Sequence, residues 1–151
     1  MISRRKRFKM SDWLYQVRLK SSEELSNALR TNQPSTHADQ LRAIASNYNM
    51  NIVCTLDAFR EYCNEAEQNG IENYLLYDWT KEVINDPVKQ QKHSKSFAFY
   101  KGLEQIYEKK IAVKVYQEID EIRDDLDILE VRLIDSNPAN NPQPPKTQSK
   151  T

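Results

Sequence analysis

Apolar and polar side chains alternate between residues 13 and 20. Trp13, Tyr15, Val17 and Leu19 fall on one side of an extended chain, and Gln16, Arg18 and Lys20 fall on the other. That period of two predicts a half-buried strand. Ser21 and Glu24 then have the spacing of a capping box, and Leu25, Ala28 and Leu29 predict a short amphipathic helix broken at Asn32-Gln33-Pro34. A second helix is expected from Ser35 or Thr36, with Leu41, Ile44, Ala45 and Tyr48 on one face. Residues 50–56 read as a second strand with Met50, Ile52, Cys54 and Leu56 inward. Asp57 is placed to cap a third helix, which carries Phe59, Tyr62, Cys63 and Ala66 and ends at Asn69-Gly70.

Residues 72–85 are expected to form a fourth helix, stopped by Asp86-Pro87 and followed by a polar stretch over 88–95. Ser96 to Tyr100 reads as a third strand, and Lys101-Gly102 could turn it toward a partner near Gln105–Tyr107. Ile111, Val115, Ile119, Ile122 and Leu126 step by 4, 4, 3 and 4, which predicts a helix over 109–126. Leu129, Val131 and Leu133 alternate with Glu130 and Arg132 in a last strand over 128–135.

The order β-α-α-β-α-α-β-(β)-α-β points to an α+β class. The expected fold is a ferredoxin-like sandwich, a sheet of about four largely antiparallel strands covered by helices, with a helical insertion between its second and third strands. The echo of Gln16-Val17-Arg18-Leu19 in Glu130-Val131-Arg132-Leu133 suits the pseudo-symmetry of that fold. The alternative is a small mixed α/β doubly wound fold.

Charge divides the chain. All 22 carboxylates lie between Asp12 and Asp135, against 15 bases in the same stretch, a net of −7. Five bases crowd into the first nine residues. Residues 136–151 hold four of the six prolines and a single aliphatic side chain, Ala139. The chain therefore reads as a disordered basic arm over 1–11, a single domain over 12–135 and a disordered proline-rich tail over 136–151. The tail contains a PxxP pattern at Pro142–Pro145. An acidic body repels a phosphate backbone, so nucleic acid is not the expected partner, and a charge-mimicking inhibitor ranks last because lysines interrupt the acid runs. No apolar segment follows the basic start and no run of ~18 apolar residues exists, so neither a signal peptide nor a membrane span is expected. With Cys54 and Cys63 the only cysteines, a reducing cytoplasm is the expected setting.

Gly70 and Gly102 are the only glycines, which excludes both GxGxxG and a P-loop. His37 and His93 have no paired ligands nearby in sequence, so no metal site is expected. Cys63 shares an apolar face with Phe59 and Tyr62, where a thiol is inert, so no catalytic nucleophile is assigned. The acids at Asp120, Glu121, Asp124, Asp125 and Asp127 read as the wet face of their helix. No cofactor is implied.

Aromatic placement is the one distinctive signal. Seven of the fourteen aromatic residues lie between 74 and 107, among them Tyr74, Tyr77, Trp79 and Tyr100, interleaved with His93, Lys95 and other cations. Phe97 and Phe99 are expected in the core. Tyr74, Tyr77, Trp79, His93, Lys95 and Tyr100 are the candidate binding residues. The resulting expectation is a non-enzymatic interaction or regulatory module with a protein partner or a second copy of itself. The alternative is a small-molecule sensor or enzyme with its site near Trp79, His93 and Tyr100.

Overall fold

The alternating segments pair into one antiparallel sheet. The computed structural model describes residues 14–136. Its strands are β1 (Tyr15–Ser21), β2 (Met50–Cys54), β3 (Ser96–Lys101) and β4 (Ile128–Asp135), in the order β2-β3-β1-β4. Two helices, α1 (Glu23–Thr31) and α2 (Thr36–Asn47), connect β1 to β2. Three more, α3 (Thr55–Asn69), α4 (Tyr77–Asn85) and α5 (Pro87–Ser94), lie between β2 and β3. The last, α6 (Lys109–Ile122), precedes β4. Every neighbouring pair of strands is antiparallel. This is the ferredoxin-like arrangement with an insertion of α3, α4 and α5. A doubly wound fold is excluded, because it requires parallel neighbours. The basic arm expected over 1–11 and the tail expected over 136–151 lie outside the described residues, except Ser136.

Registration decides which side chains share a face. Leu19 stands opposite Phe97 on β3 and Val131 on β4, and Phe97 stands opposite Cys54 on β2. These residues face α1, α2 and α6, whose Leu25, Leu41, Ile44, Val115 and Ile119 complete the main core. Burial of this surface is the dominant stabilising term. The insertion lies on the opposite face. Leu56 at the start of α3 joins that core, while Cys63, Ala66 and Val83 are buried outside it.

Local chemistry explains several departures from the sequence expectations. Ser22, not Ser21, caps α1 by accepting from the Leu25 N–H at 3.2 Å, because Ser21 is still inside β1. β2 ends at Cys54, and Leu56 joins α3 instead of the strand. Asp57 sits in the first turn of α3 instead of capping it, and Arg30 grips it with bonds of 3.0 and 2.7 Å. The helix expected over 72–85 is two pieces, a 3₁₀ turn at Ile71–Asn73 and then α4. Asp86-Pro87 starts α5 where a polar connection was expected. The Asp86 carboxylate accepts from Val88 and Lys89, and Pro87 occupies the first turn, where its missing N–H costs nothing. The helix expected over 109–126 stops at Ile122 and tightens to a 3₁₀ turn through Leu126. A register shift between Lys20 and Ser21 turns Ile128 inward and leaves Leu129 67% exposed.

Past Lys101 the chain reverses at Gly102-Leu103. Lys101 and Glu104 exchange backbone bonds of 2.9 and 3.1 Å. Gly102 has φ 65°, the sign that the first central residue of a type II′ turn requires. The returning segment bridges to β1, where Tyr15 and Tyr107 exchange bonds of 2.7 and 2.8 Å. The expected hairpin is thus a tight turn closed by Glu104, with Tyr107 carried on to β1.

Candidate functional site

The face of the sheet turned away from the main core carries Gln16 and Arg18 on β1, Ala98 and Tyr100 on β3, and Val53 on β2. The sequence pattern leaves Gln16, Arg18 and Lys20 to solvent. In the fold Gln16 is buried and Arg18 is half-buried, because the insertion and the 102–107 turn partly cover this face. Lys20 remains exposed and meets Glu130 at 3.7 Å.

Coverage is incomplete, and a groove of about 470 Å³ remains between sheet and insertion. Arg18, Val53, Ala98 and Tyr100 form its floor. Phe59 and Tyr62 of α3, with Leu76, Trp79 and Thr80 from the α4 region, form one wall, and Gln105 closes one end. Amphipathic spacing on α3 puts Phe59 and Tyr62 on the same side of that helix as Cys63 and Ala66. Trp79 packs edge-on to Phe59 at 5.8 Å between ring centroids and keeps 37% of its surface exposed. Phe59 in turn meets His93 edge-on at 5.3 Å.

Polar anchoring in the groove is sparse and positive. The Arg18 guanidinium donates to Thr55 Oγ1 at 2.6 Å, to Ser96 Oγ at 3.4 Å and to Gln16 Oε1 at 3.3 Å. Burial, only partly offset by Tyr100, pulls its pKa below the ordinary arginine value. Burial pushes the Tyr100 phenol up, against the pull of Arg18. Burial also lowers the pKa of His93, and Lys92, Arg18 and Lys89 add to this, so its neutral form is favoured.

The six candidate residues separate into three groups. Trp79 and Tyr100 line the groove together. His93 stands behind Phe59 and supports the wall. Tyr74, Tyr77 and Lys95 lie outside the lining. Tyr74 packs edge-on to Tyr62 at 5.4 Å and donates to Glu65 at 2.9 Å. Tyr77 donates to Glu67 at 2.7 Å, and Lys81 holds the same Glu67 oxygen at 2.7 Å, so Tyr77 fastens α4, and Tyr74 the connection before it, to α3. Lys95 offers its backbone carbonyl to the Ser21 N–H at 2.9 Å. Arg18, Phe59 and Tyr62 are among the lining residues that are not candidates from the sequence. Their heptad and strand positions were legible, but not the packing of two distant segments on one sheet face.

Other chemistry is weak. Among the described residues no group of three or more His, Cys, Asp or Glu is placed to hold a metal ion. Cys54 and Cys63 are both buried free thiols, and burial raises both their pKa values. The acids after Ile119 lie at the surface, where Asp120 meets Arg123 at 3.6 Å and Asp127 meets His37 at 3.4 Å. No helix among the described residues is long and apolar enough to cross a membrane. Comparison with known protein families, with curated proteins and with solved structures finds no match to this chain.

Proposed function

We propose that the protein is a non-enzymatic regulatory module that senses a small molecule in the groove between sheet and insertion. The observation that carries this reading is the groove's lining: four aromatic rings, Phe59, Tyr62, Trp79 and Tyr100, around one half-buried arginine. Small-molecule sites are concave, largely apolar and furnished with a few converging polar groups, and about 470 Å³ lies within their usual size range. No nucleophile with an adjacent base lines the groove, which favours binding over catalysis. The two buried thiols favour a reducing, cytoplasmic setting.

Thermal denaturation of the full chain against a metabolite library tests the reading. A ligand at a hundredfold excess over its Kd stabilises by about 2.7 kcal/mol, enough to raise Tm by several degrees in a domain of this size. At least one compound is expected to do so, and its effect should vanish in a folded Trp79→Ala variant. A library without a hit, or a shift that survives in Trp79→Ala, contradicts the groove as the site.

A second reading, docking of a protein partner or a second copy, draws on the apolar rim beside Trp79. Ile71, Leu75 and Leu76 keep 42%, 57% and 47% of their surfaces exposed. A chain that sediments as a monomer at high concentration and captures no partner would retire it.

A further inference from the structure

One row of side chains across the insertion-facing side of the sheet holds a half-buried arginine that no carboxylate pairs among the described residues. Val53, Ala98, Arg18 and Arg132 stand opposite one another across the four strands. Arg132 is exposed and lies outside the groove lining, so Arg18 is the charge that the groove holds. A guanidinium offers five N–H donors. Arg18 uses three of them in the bonds to Thr55, Ser96 and Gln16, all neutral acceptors. No carboxylate pairs with Arg18 among the described residues, and no Asp or Glu lines the groove. On the next rung of this face Glu130 stands opposite Lys20 and meets it at 3.7 Å, leaving Arg18 without an acid.

Further donors share the lining without a protein acceptor among the described residues, including the indole N–H of Trp79 and the hydroxyls of Tyr62 and Tyr100. The groove thus offers hydrogen-bond donors and aromatic faces, with a single fixed charge. His93, behind Phe59, is pushed toward its neutral form and supplies no second cation at neutral pH.

We propose that the groove takes a flat carboxylic acid carrying one negative charge, its carboxylate on an unused N–H of Arg18 and its ring against Trp79 and Tyr100. This rests on the groove being a ligand site. A guanidinium N–H gives a carboxylate a charge-assisted bond, roughly twice as strong as one between neutral groups. A phosphate monoester brings up to two charges, and the lining balances only one. Flat rings suit the aromatic walls, which favour stacked and edge-on contacts.

The test uses the full chain with Trp13→Phe, which makes Trp79 the sole indole, and three probes of one shape: naphthoate, naphthamide and naphthyl phosphate. Naphthoate is expected to quench Trp79 fluorescence saturably. Naphthamide should bind on the order of ten-fold more weakly or worse, as expected for loss of a charge-assisted pair, and naphthyl phosphate should bind more weakly than naphthoate because its second charge finds no partner in the lining. Arg18→Met should bring naphthoate down to the naphthamide level, and Arg18→Lys should recover only part of the difference. Equal binding of naphthoate and naphthamide overturns the carboxylate assignment and leaves the groove as a site. Tighter binding of the phosphate overturns it in favour of a dianion. If no probe binds but a metabolite still raises Tm through Trp79, this proposal alone is wrong. If neither occurs, the groove reading falls with it. The probe comparison in the unmutated groove stands even if Arg18→Met does not fold.

Discussion

The hydroxyl of Tyr107 stands where the ladder between β1 and β3 stops. The two strands pair from Lys20–Ser96 to Arg18–Ala98, and the next rung would join Val17 to Phe99. Instead Tyr107 donates to the Phe99 carbonyl at 2.8 Å and accepts from the Val17 N–H at 3.4 Å, so a side chain splices two main-chain groups that no longer meet. Burial pushes this phenol from its ordinary 10 up to about 12. The folded chain then holds the proton more tightly than the unfolded chain. That stabilisation is complete below pH 10 and is lost as pH rises toward 12. Tyr107→Phe should cost about 1–3 kcal/mol at neutral pH, because it strands a buried acceptor and a buried donor. It should also flatten the loss of stability between pH 10 and pH 12. Urea denaturation across that range checks both, and an unchanged midpoint at neutral pH would show that the splice carries no weight. Nothing in the local pattern around Tyr107 announces this role, since the two groups it joins lie 90 and 8 residues away.

At the scale of elements, most of the frame was legible because each piece has a self-contained signal. Alternation gave β1, β2, β3 and β4 to within a few residues, and the apolar stripe through Val115 and Ile119 gave α6. The insertion was harder to read. Its last two helices are short, α5 has no buried residue, and α4 buries only Thr80 and Val83. With so little apolar surface to set the pattern, Asp86-Pro87 read as a stop when it is a cap and a first turn. The same thin packing has a dynamic consequence. Segments with few buried contacts open at lower free energy than the frame they rest on. Amides of α4 and α5 are therefore expected to exchange with deuterium well before those of β1, β3 and α6. Equal protection throughout would contradict an insertion less firmly packed than the frame.

For the whole molecule, the sandwich was readable and the site was only half so. Trp79 and Tyr100 stood out as aromatics in a polar stretch. Arg18 did not, because its place in an alternating strand assigned it to water. What brings it into the groove is long-range: α3, α4 and the 102–107 turn closing over one face of the sheet. The function proposed for the molecule depends on that closure, with α1, α2 and α6 holding the sheet from behind. Amide chemical-shift mapping by NMR during a naphthoate titration tests this most directly. The account predicts saturable shifts confined to the Arg18, Tyr100 and Gln105 segments of the floor and to the Phe59 and Trp79 segments of the insertion. Shifts centred elsewhere, or none at saturating probe, would contradict it.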